Sequence, residues 1–161
     1  MTDGVEVERR WLVTDPPAEL RSVPAQHIQQ GYLVIGDDGA EVRLRHRSGR
    51  HTLTVKSGVG LIRTEREIEL SGEQFQALWP ATEGARLQKR RYALPADGLT
   101  IELDVYEAQL AGLMIAEVEF SDPWAAQAFT VPAWFGRELT SDHAYRNQSL
   151  ALKGRPAPGV V

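Results

Sequence analysis

Glu6 and Glu8 stand two residues apart, and Arg10 follows at the same interval. In an extended strand successive side chains alternate between faces, so these three share one side while Val7, Trp11 and Val13 share the other. The spacing returns as Glu65/Glu67/Glu69, Glu102/Asp104 and Glu117/Glu119. Positive charge repeats it in Arg43/Arg45/Arg47, in Lys56 beside Thr52 and Thr54, and in Lys89/Arg91. Same-face neighbours on a strand lie about 6.5–7 Å apart, near enough for like charges to repel once water is removed. Any single strand of this kind reads as a solvated face. The whole set does not, because a face kept only for solubility intersperses signs. Carboxylate clusters suit hard divalent cations such as Mg²⁺ or Mn²⁺, and guanidinium forks and ammonium groups suit phosphate oxygens. A small polyanion carrying divalent metal complements both.

Elements that could aim these faces at one place are strands over 5–13, 26–35, 41–47, 51–57, 62–70, 85–94, 99–107 and 113–120. Turn signals separate them at Gly36-Asp37-Asp38-Gly39, Ser48-Gly49-Arg50, Gly58-Val59-Gly60 and Pro95-Ala96-Asp97-Gly98. Asp15-Pro16-Pro17 starts a short helix. Ser71 and Gln74 have the spacing of a capping box for a helix ending at Trp79. Asp122-Pro123 starts another through Phe129, and a last helix spans Asp142 to Lys153 with Gly154 beyond it. About eight antiparallel strands can close into a barrel that holds a ligand in its lumen and has no exposed edge. The expected fold is therefore α+β: a closed eight-stranded antiparallel barrel with a charged lumen and short helices outside, one domain over 1–153, and a flexible tail over 154–161.

Composition narrows the partners. The chain has 161 residues and no cysteine, which excludes disulfides and thiolate zinc sites and fits a reducing cytoplasm. Its net charge of −4 argues against a general nucleic-acid binder. No apolar run approaches the ~20 residues of a membrane span, and the first residues do not read as a signal peptide. Oligomeric state is left open, a homodimer being one option.

Glu6-x-Glu8-x-Arg10, Arg43-Leu44-Arg45, Leu53-Thr54-Val55-Lys56, the Glu65–Glu69 strand, Lys89-Arg90-Arg91-Tyr92, Glu102-Leu103-Asp104 and Glu117-Val118-Glu119 follow one another in an order that resembles the CYTH superfamily, the triphosphate tunnel metalloenzymes. The match runs from Glu6 to about Leu152 and is closest to small bacterial members that hydrolyse inorganic tripolyphosphate. It implies a triphosphate held by Arg10, Arg43, Arg45, Lys56, Lys89 and Arg91. It also implies Mg²⁺ or Mn²⁺ held among Glu6, Glu8, Glu67, Asp104, Glu117 and Glu119. Lys56 and Tyr32 fall on the lysine–tyrosine pair with which such members activate water. A lysine crowded by Arg43, Arg45 and Lys89 would have a lowered pKa, as a general base needs. Arg10 departs from the lysine that usually ends the first motif. It keeps the charge and can grip phosphate bidentately, but it does not shuttle protons.

Alternatives differ in chemistry. Class IV cyclases resemble one another in a His-Phe pair before the first glutamate, and Met1 to Val5 contain neither residue. Hydrolysis of an organic triphosphate, nucleotide or thiamine, and a polyphosphate-binding module without turnover remain rivals. His27, His46, His51 and His143 show no metal-ligand spacing and read as surface or packing residues. Trp11, Trp79, Trp124 and Trp134 read as packing outside the barrel, and Asp142 and Arg146 as solvent-exposed.

Overall fold

A computed structural model describes residues 2–58 and 61–157, so Val59 and Gly60 of one expected turn and 158–161 of the expected tail lie outside the described residues. Strands form where alternation predicts them: β1 (Thr2–Leu12), β2 (Gln26–Ile35), β3 (Glu41–Arg47), β4 (Arg50–Ser57), β5 (Ile62–Leu70), β6 (Arg86–Ala96), β7 (Leu99–Tyr106) and β8 (Met114–Phe120). Two hairpins turn on two-residue loops, Ser48-Gly49 with φ of 51° and 78° and Asp97-Gly98 with φ of 49° and 77°. Left-handed backbone at both loop positions matches the twist of the flanking strands, and glycine takes the second position without steric cost.

Neighbouring strands run in the order β1-β5-β4-β3-β2-β6-β7-β8 and close into a barrel. β1 completes the ring by pairing with β5 up to Val7 and with β8 from Val7 to Leu12. The β2–β3 register shifts between Tyr32 and Val34, a bulge of the kind that re-aims side chains beside a site.

Three α-helices pack around or into the ring: α1 (Gly72–Leu78), α2 (Pro123–Ala128) and α3 (Asn147–Lys153). Ser71 and Gln74 form the capping box at α1, each side chain bonding the other's backbone N–H. The Asp15-Pro16-Pro17 start leads only to a 3-10 turn, Ala18–Ser22. The expected helix from Asp142 breaks at Arg146, whose ψ is 145°. A 3-10 turn, His143–Tyr145, lies on one side of the break and α3 on the other.

Packing divides into two cores. Val7, Trp11, Leu103, Val118 and Phe120 line the outer wall of β1, β7 and β8 and meet Ala126 of α2, Phe129 and Phe135. The second core was not expected. Tyr32, Leu87, Tyr106 and Ile115 cluster with Leu139, Tyr145 and α3 residues Leu150 and Ala151. Leu87 and Ile115 share their strand phase with Arg91 and Glu117, so this core fills one end of the lumen. Trp124 was expected to pack and is instead 80% exposed. Among the described residues no helix is long and apolar enough to cross a membrane.

Candidate active site

The remainder of the lumen is a cavity of about 240 Å³. Glu6, Glu8, Glu67, Glu117 and Glu119 face into it, and so do Arg10, Arg43, Arg45, Lys56 and Arg91, together with Tyr32.

β1 and β8 set the acidic side. Glu8 lies opposite Glu119 and Arg10 opposite Glu117, so inward carboxylates from adjacent strands meet. Glu6, Glu8 and Glu117 each offer an oxygen, and these oxygens lie within 4.8 Å of one another. Three carboxylates so close do not all ionise freely. Burial first, then the Glu117 charge, pushes Glu8 well above the usual carboxyl range. Burial would also raise Glu117, but Arg91 and Arg10 outweigh it and hold that carboxyl down at about 2. Glu119 is raised by burial and by the surrounding Glu6, Glu117, Glu65 and Glu102. Lys56 Nζ sits 3.1 Å from both oxygens of Glu6 yet donates only to Oε1, leaving Oε2 without a hydrogen bond. A crowded carboxylate set with an unshared oxygen fits a hard divalent cation.

β3 sets the basic side, and its arginines have neutral partners. Arg43 Nη2 donates to Thr54 Oγ1 at 3.4 Å. Arg45 donates through Nε and Nη2 to Gln30 Oε1 at 3.1 and 3.0 Å, and Arg47 Nε to Gln26 Oε1 at 2.7 Å. Among the described residues none of the three forms an ion pair with a carboxylate, although Glu41, Glu65 and Glu6 favour the charge on Arg43, and burial followed by Arg43 and Arg91 lowers Arg45 to about 9. Such a row favours an anion.

Lys56 does not meet the cations expected around it. Its ammonium lies 3.1 Å from Glu6 and 3.9 Å from Glu65. Tyr32 is buried, and burial first, then Glu41, holds its hydroxyl above the ordinary phenol value.

Lys89 and Asp104 do not line the cavity. They form an ion pair of 2.6 Å in which Lys89 is 0% and Asp104 1% exposed. Arg91 adds a fork to the same carboxylate, Nε to Oδ1 at 2.7 Å and Nη2 to Oδ2 at 2.8 Å. Asp104 thus has its oxygens taken by cations, and Lys89 is committed to Asp104, with Asn147 Oδ1 at 3.4 Å. Neither is free to take the metal or phosphate role the family resemblance implies. Burial lowers Lys89 to about 7 against the pull of Asp104, while Arg91 and Lys89 overcome burial and hold Asp104 below the ordinary aspartate value. Asp104→Ala leaves buried Lys89 without its carboxylate and Arg91 with Glu102 alone, and should cost about 3–5 kcal/mol, read as a lower urea midpoint at unchanged slope. Because its folded-state pKa is depressed, the contribution of Asp104 is present above the unfolded value of 3.8 and lost as pH falls below it. The gap between wild type and Asp104→Ala should therefore close toward acid.

Glu41, Arg63 and Arg146 also line the cavity and were missed. Glu41 and Arg63 carry the phase of Arg43 and Glu65, so period two could have found them. Their signs oppose those of their strand-mates because they pair with each other at 3.0 Å. Arg146 was expected in solvent, and the break before α3 brings it inward instead. Arg63 Nη2 and Gln148 Nε2 both donate to Gly39 O, at 3.1 and 3.2 Å.

A closed antiparallel barrel with facing acidic and basic walls defines a triphosphate tunnel protein. No protein-family model matches the chain. It is 49% identical over 150 residues, 91% of its length and 97% of the relative's, to the inorganic triphosphatase of Nitrosomonas europaea. Identity is 34% to the inorganic triphosphatase of Acetivibrio thermocellus, over 91% of this chain and 93% of that one. Its fold is similar to the crystal structure of the inorganic triphosphatase NE1496, with a TM-score of 0.68 and 43% identity over 96% of this chain and 97% of that one. The PH1012 protein of Pyrococcus horikoshii shares the fold at a TM-score of 0.58 and 17% identity, over 76% of this chain and 84% of that one. The chain belongs to the inorganic triphosphatase family of the triphosphate tunnel superfamily.

Proposed function

We propose that this protein is a metal-dependent inorganic triphosphatase that hydrolyses tripolyphosphate to pyrophosphate and phosphate. The observation that carries the reading is the β3 arginine row, buried to half-buried, oriented by neutral acceptors and facing carboxylates across a small lumen. Glu6, Glu8 and Glu117, with Glu119 beside them, would hold Mg²⁺ or Mn²⁺, which would neutralise charge on the phosphates and on the crowded acids. Arg43 and Arg45 would grip phosphoryl oxygens, and Arg91, whose three nitrogens meet Asp104 and Glu102, would add its charge at the same wall. Lys56 is the residue assigned to activate the attacking water; its ammonium pairs with Glu6 and Glu65 in the free protein, so it would first have to give up that proton, which cations taken up by those carboxylates would favour. Positioning and charge neutralisation supply most of the rate, as in phosphoryl transfer generally.

Phosphate release from tripolyphosphate, pyrophosphate, ATP and thiamine triphosphate, each with Mg²⁺, Mn²⁺ or excess chelator, tests the proposal. Tripolyphosphate should be turned over fastest and chelator should stop it. Preference for an organic triphosphate would move the assignment, and full activity in chelator would end the metal role.

A further inference from the structure

Gln30 on β2 is fully buried, at 0% exposure, and touches both the arginine row and Tyr32. Its orientation follows from its partners. Arginine only donates hydrogen bonds, and an amide has one accepting end and one donating end. The two bonds from Arg45, at 3.1 and 3.0 Å, therefore terminate on the carbonyl oxygen of Gln30. That turns the amide NH₂ toward Tyr32, whose hydroxyl oxygen lies 3.0 Å away. The amide donates there, so the Tyr32 oxygen is the acceptor and its own hydrogen must point elsewhere. Among the described residues Gln30 is the hydroxyl's one hydrogen-bond partner, and Tyr32 lines the cavity.

We propose that Gln30 is a positioning residue that, by holding the Nε/Nη2 edge of Arg45, aims the remaining Nη edge of that guanidinium and the Tyr32 hydroxyl hydrogen into the lumen together, so that Tyr32 serves as a hydrogen-bond donor to a phosphoryl oxygen. This rests on the reading that the lumen takes a triphosphate. A glutamate at position 30 would orient Arg45 as well as glutamine does, but it would cancel the charge and draw the tyrosine hydrogen to itself. Glutamine orients both groups and leaves the positive charge available to substrate. A raised phenol pKa agrees with donation, because Tyr32 then keeps its proton throughout the working pH range.

The test compares Gln30→Glu and Gln30→Met, each in the wild-type and the Tyr32→Phe background, by kcat and KM for tripolyphosphate at matched folded fraction. Gln30→Glu should raise KM about tenfold through Arg45 and lower kcat about tenfold or more through Tyr32, as expected for loss of one donor to a developing charge. In the Tyr32→Phe background the KM effect should persist and the kcat effect should vanish. Gln30→Met keeps the shape and removes both bonds. It should show the same split with a smaller KM effect, and it carries the test if the glutamate variant does not fold. An equal kcat loss in both backgrounds, or unchanged kinetics in either variant, overturns the proposal. Wild-type turnover is measured separately: an inactive wild type removes the functional reading and with it the premise, whereas an active wild type with unresponsive Gln30 variants overturns this inference alone.

Discussion

Glu8→Gln should lower kcat/KM for tripolyphosphate by more than about 100-fold while the protein melts at the same temperature or higher. Glu8 is 8% exposed, and its carboxyl shares a space with Glu6 and Glu117. Ionising it there works against burial and against the Glu117 charge, which is why it stays protonated above the usual range. The sign follows from linkage. A carboxyl whose folded-state pKa lies above its unfolded value of 4.5 binds its proton more tightly in the native protein, so stability falls as pH rises from 4.5 through the raised value. Glutamine has no such charge to lose. Melting curves at pH 5 and pH 8 should therefore show Glu8→Gln gaining on wild type as pH rises, with about 2–4 °C for each kcal/mol in a chain of this size. Activity and stability move in opposite directions because the crowding that strains the free protein is what a cation would relieve. A variant that keeps full turnover, or one that loses both turnover and melting temperature, would remove Glu8 from the metal site.

Lys56→Ala should cost about 10²–10⁴-fold in kcat with little change in KM, the size general-base catalysis usually supplies. The arginine row still holds the substrate, so the missing interaction is one felt mainly in the transition state. Lys56 lies on β4 beside β3, and Glu6 at 3.1 Å and Glu65 at 3.9 Å pair with its ammonium. Arg43→Ala makes the contrast: its loss should appear chiefly in KM, because its fork grips phosphate without taking a proton. Single-turnover measurements with tripolyphosphate separate the two terms. An Lys56→Ala protein with normal turnover and only a raised KM would falsify the base assignment and leave Lys56 as one more phosphate clamp.

Period two in the sequence was enough to bring most of the charged wall together. Glu6, Glu8, Arg43, Arg45, Glu117 and Glu119 face one lumen because alternate side chains of a strand cannot do otherwise once its apolar partners are outside. The turns were equally local, since Ser48-Gly49 and Asp97-Gly98 carry their own backbone preference. Phase says which side of the wall a residue occupies and nothing about its depth along the barrel. Lys89 and Asp104 have the phase of the site yet lie beside the inner apolar core, where each other, Arg91 and Asn147 satisfy them. Arg146 became a lumen residue through the break before α3 and the docking of that helix into the barrel end, with Tyr145 O accepting from Arg10 across a sequence separation of 135. Gln30 was invisible for a different reason. A neutral amide carries no charge pattern, and its role exists only where β2 lies against β3 and sets it beside Arg45. Alternation is a property of each strand by itself, whereas depth, plugging and the partners of buried polar groups arise only when strands distant in sequence close the ring.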